Sequence, residues 1–135
     1  MYFMSGEKDL GKLLLAMSPE LIPGEFVFCS FANARYGDHS DLEPIAAFTE
    51  SEGLTLVIPK SKADEHGIKY ETIFRGITLN VHSSLDAVGL TAAFTGKLTE
   101  HGISANVMAG YYHDHIFVQH ELAEQALAAI NELTR

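Results

Sequence analysis

The chain has 135 residues, 47% of them hydrophobic, and nine basic residues against eighteen acidic ones give it a net charge of -9. That length supports one ordinary core or two small fused ones, and that apolar content belongs to a folded globule and not to a disordered chain. The acidity is shared, -5 before Tyr70 and -4 from there on; it repels phosphate backbones, and with no Lys/Arg cluster to compensate it argues against DNA or RNA as a partner.

In chain order, Leu10, Leu13, Leu14 and Met17 form a short helical stripe that Ser18, Pro19 and Glu20 interrupt. Gly24 precedes an apolar run over residues 26–32 that reads as a buried strand. Ile45, Ala47 and Thr49 then alternate with Ala46, Phe48 and Glu50, and the turn residues Ser51, Glu52 and Gly53 lead into a second strand over 54–58. This is a hairpin ending at Pro59. Residues 60–67 read as a short polar helix.

The second half has a clearer pattern. Ile77, Leu79 and Val81 alternate with Thr78, Asn80 and His82, the period of a strand that buries one face. Ser83 and Ser84 offer N-cap hydroxyls, and Asp86 stands three residues after Ser83 in a capping-box-like arrangement, which starts a helix near Leu85. Leu90, Phe94 and Leu98 recur at four-residue spacing, and His101 with Gly102 ends the helix. Gly89 falls inside it, where a glycine costs roughly 1 kcal/mol against alanine and so points to close packing or close approach. Ile103, Ala105, Val107 and Ala109 alternate as a further strand, residues 111–114 make a turn, and residues 115–119 return as a third strand. Ala123, Ala126, Leu127, Ile130 and Leu133 then share one face of a final helix. Strand, helix, strand, strand, helix is the order of an α+β unit, an antiparallel sheet with helices packed on one side.

The phrase SSLDAVGLTAAFTGKLTEHGISANVMAGYYHDHIFV resembles an ACT domain of the kind found in small tandem-ACT proteins and aspartokinase regulatory regions. The resemblance rests on a short strand, a loop entering a helix through Val88 and Gly89, and the strand phrase GISANV, and it runs from about Tyr70 to the end. The phrase FTESEGLTLVIP at residues 48–59 is similar to the N-terminal partner domain of such units, although that half opens with a helix. The resemblance implies two ferredoxin-like βαββα units, residues 1–68 and residues 69–135. It also implies a ligand held by Leu85, Asp86, Val88, Gly89 and Leu90 in the loop and by Ala105 and Asn106 on the next strand. In that family the ligand is most often an amino acid, its carboxylate taken by free N–H groups at the helix start and its ammonium by a side chain such as Asp86.

Other chemistry-bearing residues read more simply. Cys29 is the only cysteine, which excludes an intramolecular disulfide and a cysteine-cluster metal site, and it reads as a small core residue. Four of the seven histidines lie between His101 and His120, with His113 and His115 on either side of Asp114. Alternate strand positions project to one face, so His113 and His115 are candidate ligands of one metal, but two ligands fall short of a site and no metal or cofactor is expected. Ser83, Ser84 and Asp86 are explained by capping and not by a nucleophile beside its base, and Glu50 and Glu52 by a solvated turn. No P-loop and no GxGxxG motif is present.

Two functional readings follow. One is a non-catalytic regulatory sensor that binds a small molecule at an interface between ACT units and pairs sheet edges within or between chains. The other is a small metal-dependent or histidine-based enzyme using His113 and His115, which needs a third ligand such as His120 or His82. The sequence has no apolar run of about 20 residues to span a membrane, and the start MYFMSGEKD lacks the basic-then-apolar order of a signal peptide. A cytoplasmic protein is expected.

Overall fold

The computed structural model describes residues 9–80 and 89–134. In chain order its elements are α1 (Leu10–Ala16), β1 (Pro19–Leu21), β2 (Phe26–Phe31), a 3-10 turn (Ser40–Leu42), β3 (Ala46–Glu50), β4 (Gly53–Pro59), α2 (Lys60–Glu65), β5 (Phe74–Leu79), α3 (Leu90–Glu100), β6 (Asn106–Ala109), β7 (Asp114–Gln119) and α4 (Ala123–Asn131). They form two compact units. One runs from Pro23 to Arg75; the other combines the described residues up to Ile22 with those from Gly76 onward.

In the Pro23–Arg75 unit β4 lies between β3 and β2, antiparallel to both, and Phe74 at the start of β5 pairs with Phe26 on the far side of β2. Register places Val27 opposite Ile58 and Phe31 opposite Leu54, so one face of the sheet collects apolar side chains. Val27, Leu54, Leu56 and Ile58 are buried there with Ala63 of α2 and with Leu42 of the 3-10 turn. Cys29 packs against this cluster, its Sγ 3.8 Å from the Leu56 carbonyl, and burial pushes its thiol pKa up. A thiol held protonated in that way packs as a small apolar group and is a poor nucleophile. Between β2 and β3 the chain takes a loop with a single 3-10 turn in place of a helix.

The other unit has the strand order β1-β5-β7-β6. Its helices cover one face, and the core joins Ile77 and Leu79 of β5, Phe94 and Leu98 of α3, Ile116 and Val118 of β7, and Ala126, Ala129 and Ile130 of α4, all inaccessible to solvent. Alanines at three-residue intervals let α4 lie close to the sheet, while its exposed Glu124 and Gln125 keep the outer face polar. The fourth strand comes from the chain's beginning. Pro19, Glu20 and Leu21 of β1 pair antiparallel with Leu79, Thr78 and Ile77, and α1 before them is capped by Asp9, whose carboxylate accepts the Lys12 N–H at 3.0 Å. Met17 is buried in this core, with Leu10, Leu14 and Leu21 packed against it. The residues read as a break after the first helix are therefore a short edge strand, which tolerates proline at its first position.

One expectation is corrected. Gly89 does not lie inside the helix; α3 begins at Leu90, and Gly89 is its N-cap residue, with φ +90°. The position demands a left-handed backbone, which costs any other residue but is open to glycine. Val81, His82 and the proposed caps Ser83, Ser84 and Asp86 lie outside the described residues.

Candidate functional site

The start of α3 is built from its buried side. Leu90, Phe94 and Leu98 point into the core, fixing the helix on the sheet. The chain enters through Gly89, whose carbonyl accepts the Ala93 N–H at 2.9 Å, and as a glycine this N-cap residue has no side chain of its own to cap the helix. The N–H groups of its first turn therefore receive no bond from an N-cap side chain, and an aligned helix carries about half a positive charge at this end. A Cβ added at Gly89 would stand 3.1 Å from Leu10 Cδ2, so α1 closes one side of this entry. At the other end of α3, Lys97 pairs with Glu100 at 2.9 Å and His101 Nε2 lies 2.8 Å from Glu132.

The expected ligand residues fall into two groups. Leu85, Asp86 and Val88 lie outside the described residues. Gly89 and Leu90 form the helix entry; Leu90 is buried, so it has only backbone to offer a ligand. Ala105 packs against the same apolar cluster as Leu90. Asn106 opens β6 opposite Phe117 and is exposed, and its Nδ2 donates to the Phe117 carbonyl at 3.2 Å.

The histidine segment sits on the β6–β7 hairpin. His115 on β7 is half-buried with Nδ1 3.0 Å from Thr78 Oγ1, and its pKa is lowered by burial and then by the charge of His113. Asp114 beside it is also half-buried, and burial raises its carboxyl pKa. His120 pairs instead with Glu121 at 2.9 Å. Among the described residues no three His, Cys, Asp or Glu side chains converge as a metal site.

The pattern of the ACT domain matches residues 5–75 and, in a second form, residues 71–132. The chain belongs to the ACT domain family. It carries the domain in tandem, and such domains are regulatory ligand-binding modules. A crystal structure of a Vibrio cholerae protein of unknown function, described as a possible transport protein, is 58% identical, covers 95% of this chain and 98% of its own, and superposes with a TM-score of 0.85. The fold is also that of the ligand-free regulatory subunit of aspartate kinase from Thermus thermophilus, with TM-score 0.62 at 11% identity over 89% of this chain and 99% of that one. Aspartokinase III from E. coli, in complex with aspartate and ADP, shares it over 87% of this chain and 32% of its own, with TM-score 0.61 at 11% identity. No curated protein matches the chain. Among the described residues no helix is long and apolar enough to cross a membrane.

Proposed function

We propose that this ACT-domain protein is a non-catalytic sensor of a small molecule, most simply an amino acid, held by the backbone of residues 85–90 with Ala105 and Asn106 on the next strand. The observation that carries the reading is the entry to α3, a helix of eleven residues that starts on a left-handed glycine, a residue with no side chain of its own to fill the cap. Such a start favours a carboxylate, and Asp86 is the side chain suited to an ammonium. The amino acid is suggested by the aspartokinase likeness, one example of which was solved with aspartate. Regulation follows if the ligand favours one packing of ACT units within or between chains, since only differential affinity shifts such an equilibrium. A homo-oligomer paired through sheet edges suits this reading, in which the protein transforms nothing.

The test is a thermal-shift screen of the common amino acids. One or two should raise the melting temperature in a concentration-dependent way, and Asp86→Ala should abolish the rise while leaving the unliganded protein folded. Gly89→Val should abolish it too, because valine is strained at φ +90° and meets Leu10. No shift from any amino acid at millimolar concentration would refute the proposal.

A further inference from the structure

The Pro23–Arg75 unit contains a cavity of about 280 Å³ that the reading above does not use. Leu54 and Leu56 of β4 form its floor, Ile45 and Ala47 its strand-side wall, and Tyr36 and Asp38 belong to the loop that replaces a helix between β2 and β3. Ala47 pairs with Leu56, so the two share a face, and the small side chain at that edge-strand position leaves the space open. The loop over it is held in shape. Leu42 is buried in the unit's core, the His39 ring stacks on Phe31 at 3.8 Å, and Asp38 Oδ2 accepts the Arg35 N–H at 2.8 Å. Two further ties reach α2, from Glu43 to Lys62 at 3.3 Å and from Asp41 to His66 at 3.9 Å.

The lining selects a ligand class. Its walls are mainly apolar, and Tyr36 and Ile45 at the rim are 87% and 47% exposed. Asp38 is the charged side chain among the described lining residues, with no lysine or arginine beside it. The Arg35 N–H engages its Oδ2, one of the two carboxylate oxygens. A carboxylate or phosphate would meet this aspartate and a chain of net charge -9. An ammonium would gain a charge-assisted hydrogen bond while its hydrocarbon body covers Leu54, Leu56 and Ile45. We propose that this cavity is a second ligand site, selective for a small primary amine with a compact apolar body, with Asp38 as its charge partner.

The test follows backbone amide chemical shifts of the full chain on titration with 3-methylbutylamine and 2-phenylethylamine. 4-Methylpentanoate and 3-methylbutanol serve as the anionic and neutral counterparts. Saturable shifts at residues 36–47 with the amines, and none with the carboxylate, are expected. Asp38→Asn keeps an acceptor for Arg35 N–H and removes the charge, so it should weaken amine binding by about tenfold or more. Ala47→Leu should fill the cavity and abolish binding. Either variant should leave the amino-acid response of the α3 entry intact, which separates failure of this site from failure of that one. Equal binding of amine and alcohol, unchanged affinity in Asp38→Asn, or no amine binding at millimolar concentration would each overturn the proposal.

Discussion

Residues 69–135, expressed alone, should not form a stable domain, although they hold the five-element pattern that reads as a complete unit in the sequence. The missing part is the segment that supplies β1 and α1. Met17 is 4% exposed in that core, and Leu10, Leu14 and Leu21 are half-buried against it. At about 2 kcal/mol for a buried methionine and about 1 for each half-buried leucine, their removal costs about 5 kcal/mol. That is an upper bound, because the freed segment regains its chain entropy. It equals the whole stability of a weak domain, about 5 kcal/mol. It also leaves the β5 edge without the partner that pairs Ile77 and Leu79.

The control follows from the register. Ile22 N–H donates to the Gly76 carbonyl at 2.8 Å, so the end of β1 and the start of β5 stand side by side and antiparallel. Deleting residues 23–75 and joining Ile22 to Gly76 through Asn-Gly closes a two-residue hairpin of a favoured type. Circular dichroism melts of both shortened chains decide the matter. The hairpin-closed chain should unfold cooperatively and residues 69–135 alone should show no transition. A cooperative melt of residues 69–135 at the temperature of the hairpin-closed chain would refute the argument.

Four further outcomes are expected. Gly76→Ala should cost about 1–3 kcal/mol by overpacking, because its Cβ would stand 2.7 Å from Ile22 Cδ1 and 3.1 Å from Phe117 Cε1. Adding Ile22→Val, which removes that Cδ1, should restore part of the loss in a denaturant double-mutant cycle, and strict additivity would show that the clash is not the cause. Asp114→Asn should raise the melting temperature at pH 7 and leave it unchanged at pH 3. Burial lifts the Asp114 pKa above its ordinary 3.8, so the folded state holds the proton longer and stability falls as pH rises from there through the folded value. His115 acts in the opposite sense. Its lowered pKa means that stability is full above the ordinary 6.5 and falls as pH drops from there through the folded value, so His115→Gln should flatten the acid side of a melting-temperature profile. Phe94→Ala should cost about 3–5 kcal/mol, since its ring is wholly buried between α3 and the sheet.

The elements legible in the sequence are those whose periodicity had room to show. The β3–β4 hairpin is announced by alternation on both sides of Ser51 to Gly53, and α4 by four apolar positions on one face, Ala123, Ala126, Leu127 and Ile130. β1 was illegible for two reasons. Three residues cannot display a period of two, and the partner that makes them a strand lies almost sixty residues further along the chain. Gly89 was legible as a special residue but not in its role. A glycine beside four-residue leucine spacing looks interior to a helix until the backbone angle places it at the cap. The amine cavity has no sequence signature, because the alanine, the two leucines and the aspartate that frame it come from separate elements and only the β3–β4 register brings Ala47 onto Leu56.

Apart from α1, which belongs to one unit alone, the two units lay out one plan with a single difference. Each has a first strand, a connection, an antiparallel hairpin pair of strands and a helix, with a further strand alongside the first. After β5 the connection ends in the helix α3; after β2 it is a loop with a three-residue turn. The difference reverses the electrostatics at the same topological point. A helix start presents N–H groups and partial positive charge, whereas the loop presents the Asp38 carboxylate over an apolar floor. On the two proposals made above, the first junction takes the carboxylate of a zwitterion and the second takes an amine. A set of amino acids and the amines left by their decarboxylation, with one side chain in common, therefore sorts the sites. Loss of the carboxylate should abolish the response that depends on Asp86 and strengthen the one that depends on Asp38, and a ligand set that moves both together would mean that the replaced helix carries no such consequence.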